Sequence, residues 1–230
     1  MDADVHILRV FADGGSHFGN PVGILTDENI TLTPEMRQSI ASRLGYSETV
    51  FVDNPVLGIV SLYNPESEVS FAGHALIGAS YFLRHTLGHP MLSLQCKAGH
   101  IKTYEEDNIT WIETHKAAAP RWNFRKLKDA SAVDALNPDG LGPVLHTVFW
   151  AWMDEDKGLI RARTLAPDWG IPEDEANGSG AVTLTALHKK PLEIRHGKGS
   201  VIFTRPLSDI YIGVGGRVEN DQTVKIADGV

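Results

Sequence analysis

The chain has 230 residues, 42% hydrophobic and 22% charged, which suits one or two compact domains with a sizeable core. A formal charge of −8 leaves no basic footprint for nucleic acid or an anionic membrane, although a site for a small anion can still be locally positive. One cysteine, Cys96, excludes an intramolecular disulfide, and no apolar run reaches the about 18 residues of a membrane helix. The start Met1-Asp2-Ala3-Asp4 is acidic and lacks the basic-then-apolar pattern of a secretory signal, so a cytoplasmic protein is expected.

Val5 to Val10 and Pro21 to Thr26 read as strands bounded by turn residues. Thr33-Pro34-Glu35 opens a helix, with Thr33 as N-cap and Pro34 in its first position. Met36, Ile40 and Leu44 repeat at spacing four, and Gly45 supplies the stop. Thr49 to Val52 and Ile59 to Tyr63 are strand-like again. The run Ala75 to Leu83 (ALIGASYFL) is apolar on every face, which predicts a helix buried in the middle of a lobe. Leu92 to Lys97, Ile101 to Tyr104 and Ile109 to Thr114 follow as strands.

The second half repeats this plan. The strand Ile160 to Arg163 leads through a turn-rich stretch to Gly178-Ser179-Gly180 and the apolar run Ala181 to Leu187. Leu192 to Arg195 and Val201 to Thr204 come next. Gly73 to Gly178 is 105 residues, and Gly99 to Gly199 is 100. Equivalent elements in one order at similar offsets point to a duplication; the alternative is coincidence between two strand–helix–strand patterns. Aligning the halves sets His146 against Glu48, with no function read into it. The expected fold is α+β: two pseudo-symmetric lobes, each a mostly antiparallel curled sheet around a central buried helix. The lobes are expected at residues 1–118 and 119–230, with the extreme C-terminus packing back on the first.

Both buried helices begin at glycine-bearing turns, Ala72-Gly73-His74 and Asn177-Gly178-Ser179-Gly180. A helix N-terminus offers unpaired N–H groups and a positive dipole end, a setting for a carboxylate or for charge developing during proton transfer. The bland alternative is that the glycines only permit tight turns. Glu48 precedes the apolar strand Thr49 to Val52, a placement that can draw a carboxylate out of water and let it act as acid and base. Glu173-Asp174-Glu175 lies before the second glycine turn. His74 either satisfies its helix end or carries a proton. No dinucleotide fingerprint or P-loop is present, and Cys96 reads as a buried filler residue.

The strings Phe18-Gly19-Asn20-Pro21-Val22-Gly23, Ser47-Glu48-Thr49-Val50-Phe51, Phe71-Ala72-Gly73-His74-Ala75 and Glu173-Asp174-Glu175-Ala176-Asn177-Gly178-Ser179 stand in the order found in the PhzF (phenazine biosynthesis) isomerase family, which the chain resembles. The resemblance implies the diaminopimelate epimerase-like fold and a cofactor-independent, metal-free isomerase acting on a small carboxylate-bearing substrate. It also implies a homodimer. It places the acid/base on Glu48, with His74 and Asp174 as further catalytic residues and Gly73, Asn177, Gly178 and Ser179 around the substrate anion. The two-thiol racemases of this fold need a cysteine at each helix head. Here the corresponding turns carry Ala72 and Ala176, which excludes that chemistry. Two departures from the family pattern are expected to matter. Glu175 adds negative charge where a substrate carboxylate approaches, and Asn177 replaces a hydroxyl. The second lobe is expected to be shortened between Pro120 and His146. The rival expectation is a small-anion binding protein on the same scaffold, without turnover.

Overall fold

The computed structural model describes residues 3–15, 18–88, 90–141 and 144–226. Strands β1 (Ala3–Ala12) and β2 (Asn20–Thr26) precede helix α1 (Pro34–Leu44). The Thr33 hydroxyl accepts from the Met36 N–H at 3.3 Å, and Gly45 ends the helix at φ 65°, so both signals act as expected. Then come β3 (Glu48–Asn54), β4 (Ile59–Tyr63), β5 (Glu68–Val69), helix α2 (Gly73–Leu87), β6 (Ser93–Cys96), β7 (Gly99–Glu106) and β8 (Ile109–His115). The second half holds β9 (Asn123–Lys126), α3 (Ala130–Asp134), β10 (Thr147–Asp154), β11 (Leu159–Ala166), β12 (Ile171–Asp174), α4 (Gly178–His188), β13 (Leu192–His196), β14 (Ser200–Pro206) and β15 (Tyr211–Ile226).

The chain divides into two compact units. The first comprises residues 3–10, 21–113 and 217–226, and the second residues 11–20 and 114–216. The division therefore differs from a single cut at residue 118. β15 is 16 residues long, and its end belongs to the first unit, where it pairs with β1.

In the first unit the strand order is β1-β2-β3-β4-β6-β7-β8, with β5 beside β4. β2/β3 and β4/β6 run parallel; β3/β4, β6/β7 and β7/β8 run antiparallel. Helix α2 packs on β3, β6 and β7, while a methyl group on its Gly78 would fall 2.8 Å from Val22 and 3.2 Å from Val10. Strands from both ends of the path thus touch one helix, which requires the sheet to curl around it. This explains why α2 is buried from Gly73 to Ser80 and again at Leu83. Leu76, Ile77 and Leu83 are fully covered, each contributing about 1.5–3 kcal/mol of transfer free energy.

The second unit repeats the pattern strand for strand. Its order is β9-β10-β11-β13-β14-β15 with β12 beside β11, and the pairings run parallel, antiparallel, parallel, antiparallel, antiparallel, as from β2 to β8. Details recur too. The β3/β4 register slips between Val52 and Asn54, and the β10/β11 register between Trp152 and Asp154. Each slip is followed by a left-handed glycine, Gly58 at φ 66° and Gly158 at φ 69°. The buried Ser80 and Thr103 hydroxyls meet between α2 and β7, as Thr185 and Thr204 do between α4 and β14. The matching bulges fix the offset at 100 residues for this strand, so Val148 rather than His146 is the counterpart of Glu48. The segment 120–146, expected to lack room for the usual strands, holds β9 and α3.

Candidate active site

In the first unit, Glu48 opens β3 and His74 is the second residue of α2. The parallel pairing of Val22 with Glu48 sets the height of the carboxylate. His74 Nδ1 lies 3.0 Å from Glu48 Oε2, and the two side chains keep only 6% and 19% of their exposure. The contact brings a carboxylate oxygen and an imidazole nitrogen within ion-pair range. Ala72 is the N-cap of α2 and offers no capping side chain. The first N–H groups of α2, beginning at Gly73, are therefore not consumed by a cap and carry the positive end of the helix dipole.

In the second unit, Asp174 ends β12. Its Oδ1 accepts from the amide of Asn20 at 2.8 Å and from the Ala176 N–H at 3.3 Å. Asn20, only 2% exposed, also donates to the Ala176 carbonyl at 3.3 Å, so one side chain ties both ends of the Asp174–Ala176 turn. In the sequence Asn20 figured in the family string Phe18 to Gly23, with no contact assigned to it. Asn177 caps α4, its Oδ1 accepting from the Gly180 N–H and, at 3.1 Å, from the Ser179 hydroxyl. Trp122, unmarked in the sequence, donates its indole N–H to Ser179 Oγ at 2.8 Å.

Glu175 is engaged within its own unit. Its carboxylate accepts from the Lys198 N–H at 3.0 Å and the Ser200 hydroxyl at 2.8 Å, binding it into the turn that joins β13 to β14. The added charge thus has dedicated donors within its own unit. His196 lies behind the same turn. It is 1% exposed, with ring nitrogens 2.9 Å from Thr164 Oγ1 and from the Glu175 carbonyl. Burial drives its pKa down to about 4, so it stands neutral in the fold. Cys96 is half-buried, and burial pushes its thiol up. Among the described residues no group of three or more His, Cys, Asp or Glu is arranged to hold a metal ion.

The expected residues thus fall into two groups. Gly73, Glu48 and His74 come together in the first unit; Asp174, Asn177, Gly178 and Ser179 cluster in the second.

The family model described as phenazine biosynthesis-like protein (PhzC-PhzF) matches residues 8–121. An uncharacterized isomerase from Pasteurella multocida is 35% identical over 107 residues, 44% of this chain and 36% of that protein. A trans-2,3-dihydro-3-hydroxyanthranilate isomerase from Pseudomonas fluorescens is 28% identical over 240 residues, covering 85% of this chain and 81% of that protein. A solved PhzF-family phenazine biosynthesis protein from Enterococcus faecalis matches with a TM-score of 0.81 at 19% identity, over 99% of this chain and all of that one, a likeness of fold.

Proposed function

Because the chain belongs to the phenazine biosynthesis-like (PhzF) family of isomerases, we propose that it moves a proton between carbons of a small carboxylate-bearing substrate, with Glu48 as the acid/base. The observation that carries this reading is the 3.0 Å contact between Glu48 and His74 at the uncapped head of α2.

The Glu48 carboxylate takes a proton from a substrate carbon. The electron pair left behind spreads into the unsaturated system conjugated with the substrate carboxylate, and the Glu48 carboxyl, having exchanged its proton with solvent, returns a proton at another carbon. Nothing is oxidised or reduced, so the balance needs no electron acceptor. His74 orients the carboxylate and shares its proton, while the α2 N-terminus stabilises the negative charge that develops. Beside Glu48, Gly73 at the head of α2 holds the substrate anion; in the second unit Asn177, Gly178 and Ser179 form the other anion-binding helix head, next to Asp174, which Asn20 steadies. The rival reading, binding without turnover, rests on the departures at Glu175 and Asn177 and on the shortened second lobe; of these, the Glu175 carboxylate is engaged by Lys198 and Ser200.

The first substrate to supply is trans-2,3-dihydro-3-hydroxyanthranilate, after the name of the Pseudomonas relatives. Turnover is expected to fall by about 10²–10⁴ in Glu48→Gln and less steeply in His74→Asn. Full turnover by Glu48→Gln overturns the assignment.

A further inference from the structure

The Ser179 hydroxyl is held from behind. An indole N–H can only donate, so Ser179 Oγ must be the acceptor in its 2.8 Å bond to Trp122. The single hydroxyl proton is then directed to Asn177 Oδ1 at 3.1 Å. Asn177 Oδ1 also accepts from the Gly180 N–H, and two donors on one atom settle which end of the carboxamide is oxygen. The other end, Nδ2, is buried in a residue only 3% exposed, with no acceptor among the described residues. A buried donor without an acceptor is costly, and here the rest of the side chain is too well tied to turn away.

Trp122 is itself braced. Its ring meets Trp169 edge-on at 4.8 Å, and Trp169 stacks on His146 at 4.3 Å. Asp168 fixes His146 twice, through its backbone N–H and through ring Nδ1, both at 2.7 Å. Against some desolvation, the His146 bonds hold the Asp168 carboxyl below the usual carboxylate range.

We propose that Trp122 is a positioning residue: through Ser179 it locks the Asn177 carboxamide so that Nδ2 is presented to an oxygen of the substrate. This makes Asn177 a specificity-determining residue where the family motif carries a hydroxyl, and it rests on the carboxylate-isomerase reading above. Donation into Oγ polarises the O–H and strengthens it as a donor in turn.

The test uses the full chain and anthranilate, a stable cyclic aminocarboxylate, as the probe, with binding read by NMR titration and folding by thermal melting. Trp122→Phe keeps an aromatic ring, smaller than the indole, and removes the N–H; it is expected to weaken anthranilate roughly three- to tenfold, the range of one neutral hydrogen bond. In a Ser179→Ala background the same change is expected to have no further effect, since the link is already cut. Asn177→Asp keeps the cap and replaces Nδ2 by an acceptor, so it is expected to melt like wild type yet bind at least roughly tenfold more weakly. In the ligand-free protein, the Trp122 indole ¹H–¹⁵N signal is expected to shift in Ser179→Ala. Equal anthranilate affinity of wild type and Trp122→Phe overturns the inference alone, as does full additivity of Trp122→Phe with Ser179→Ala. Wild type that leaves the anthranilate signals unchanged overturns the carboxylate reading and this inference with it.

Discussion

His196 makes the fold sensitive to mild acid in a way that can be computed before it is measured. The ring is 1% exposed and its pKa is pushed down to about 4, against 6.5 for the group in an unfolded chain. Between those values the unfolded chain binds a proton that the folded one refuses, so stability rises with pH across the window and falls as pH drops. The contribution is complete above about pH 6.5. Roughly 2 kcal/mol of it is gone at pH 5 and about 3 kcal/mol by pH 4, at 1.36 kcal/mol for each unit of difference. For a chain of this size that corresponds to a fall in Tm of roughly 6–12 °C. The assay is urea unfolding at pH 7, 6, 5 and 4.5 for wild type and His196→Asn, because paired carboxylates such as Glu173 lose stability in the same direction. The difference between the two proteins isolates the histidine. A second readout, the His196 ring signal in an NMR pH titration, serves where the variant folds poorly. Parallel pH dependence in both proteins, or a ring that titrates near 6.5 in the fold, refutes the reasoning.

Arg37 lies between Asp27 at 2.7 Å and Asp53 at 2.6 Å, with 7%, 4% and 13% of their side chains exposed. Arg37→Ala leaves two covered carboxylates without their cation and is expected to cost about 3–5 kcal/mol in urea unfolding; a loss below about 1 kcal/mol contradicts the pairing. Gly158→Ala strains a left-handed backbone at φ 69° and sets a methyl group 2.3 Å from the Pro191 carbonyl oxygen, while at Gly58 the corresponding approach to Ser93 is 2.7 Å. Gly158→Ala is thus expected to lower the Tm more than Gly58→Ala, the strain alone costing about 1–3 kcal/mol, and the reverse order contradicts the geometry. Asn20→Ala removes the amide from Asp174 and is expected to slow turnover while Glu48 and His74 remain in contact, a result to be read by steady-state kinetics.

Where local chemistry decides conformation, the sequence was transparent. Thr33, Pro34 and Gly45 delimit α1, and the all-round apolar face of Ala75 to Leu83 marks a helix wrapped by a sheet. β10 escaped notice because Val148, Phe149, Trp150 and Ala151 are buried in succession, without the alternation that marks a half-buried strand. β9 is short and largely exposed, and its residues Asn123, Arg125 and Lys126 give no apolar signal. The duplication could be counted from glycine offsets, yet only the bulge after Val52 and Trp152 fixed its register. Of the site, Glu48 and His74 were singled out by position, one before an apolar strand and one at a buried helix head, and the motif resemblance gave them roles; no periodicity joins a strand start to a helix 26 residues on. Trp122 reaches Ser179 across 57 residues and Asn20 reaches Asp174 across 154, contacts that no local pattern announces. The partners of Glu175, Lys198 and Ser200, likewise belong to a distant turn.

The most direct test of the central claim is deuterium incorporation into trans-2,3-dihydro-3-hydroxyanthranilate and related cyclic carboxylates in D2O, followed by NMR with wild type and Glu48→Gln. Exchange at a substrate carbon in wild type that disappears in Glu48→Gln is the predicted result. Exchange that persists unchanged in the variant contradicts proton transfer by Glu48.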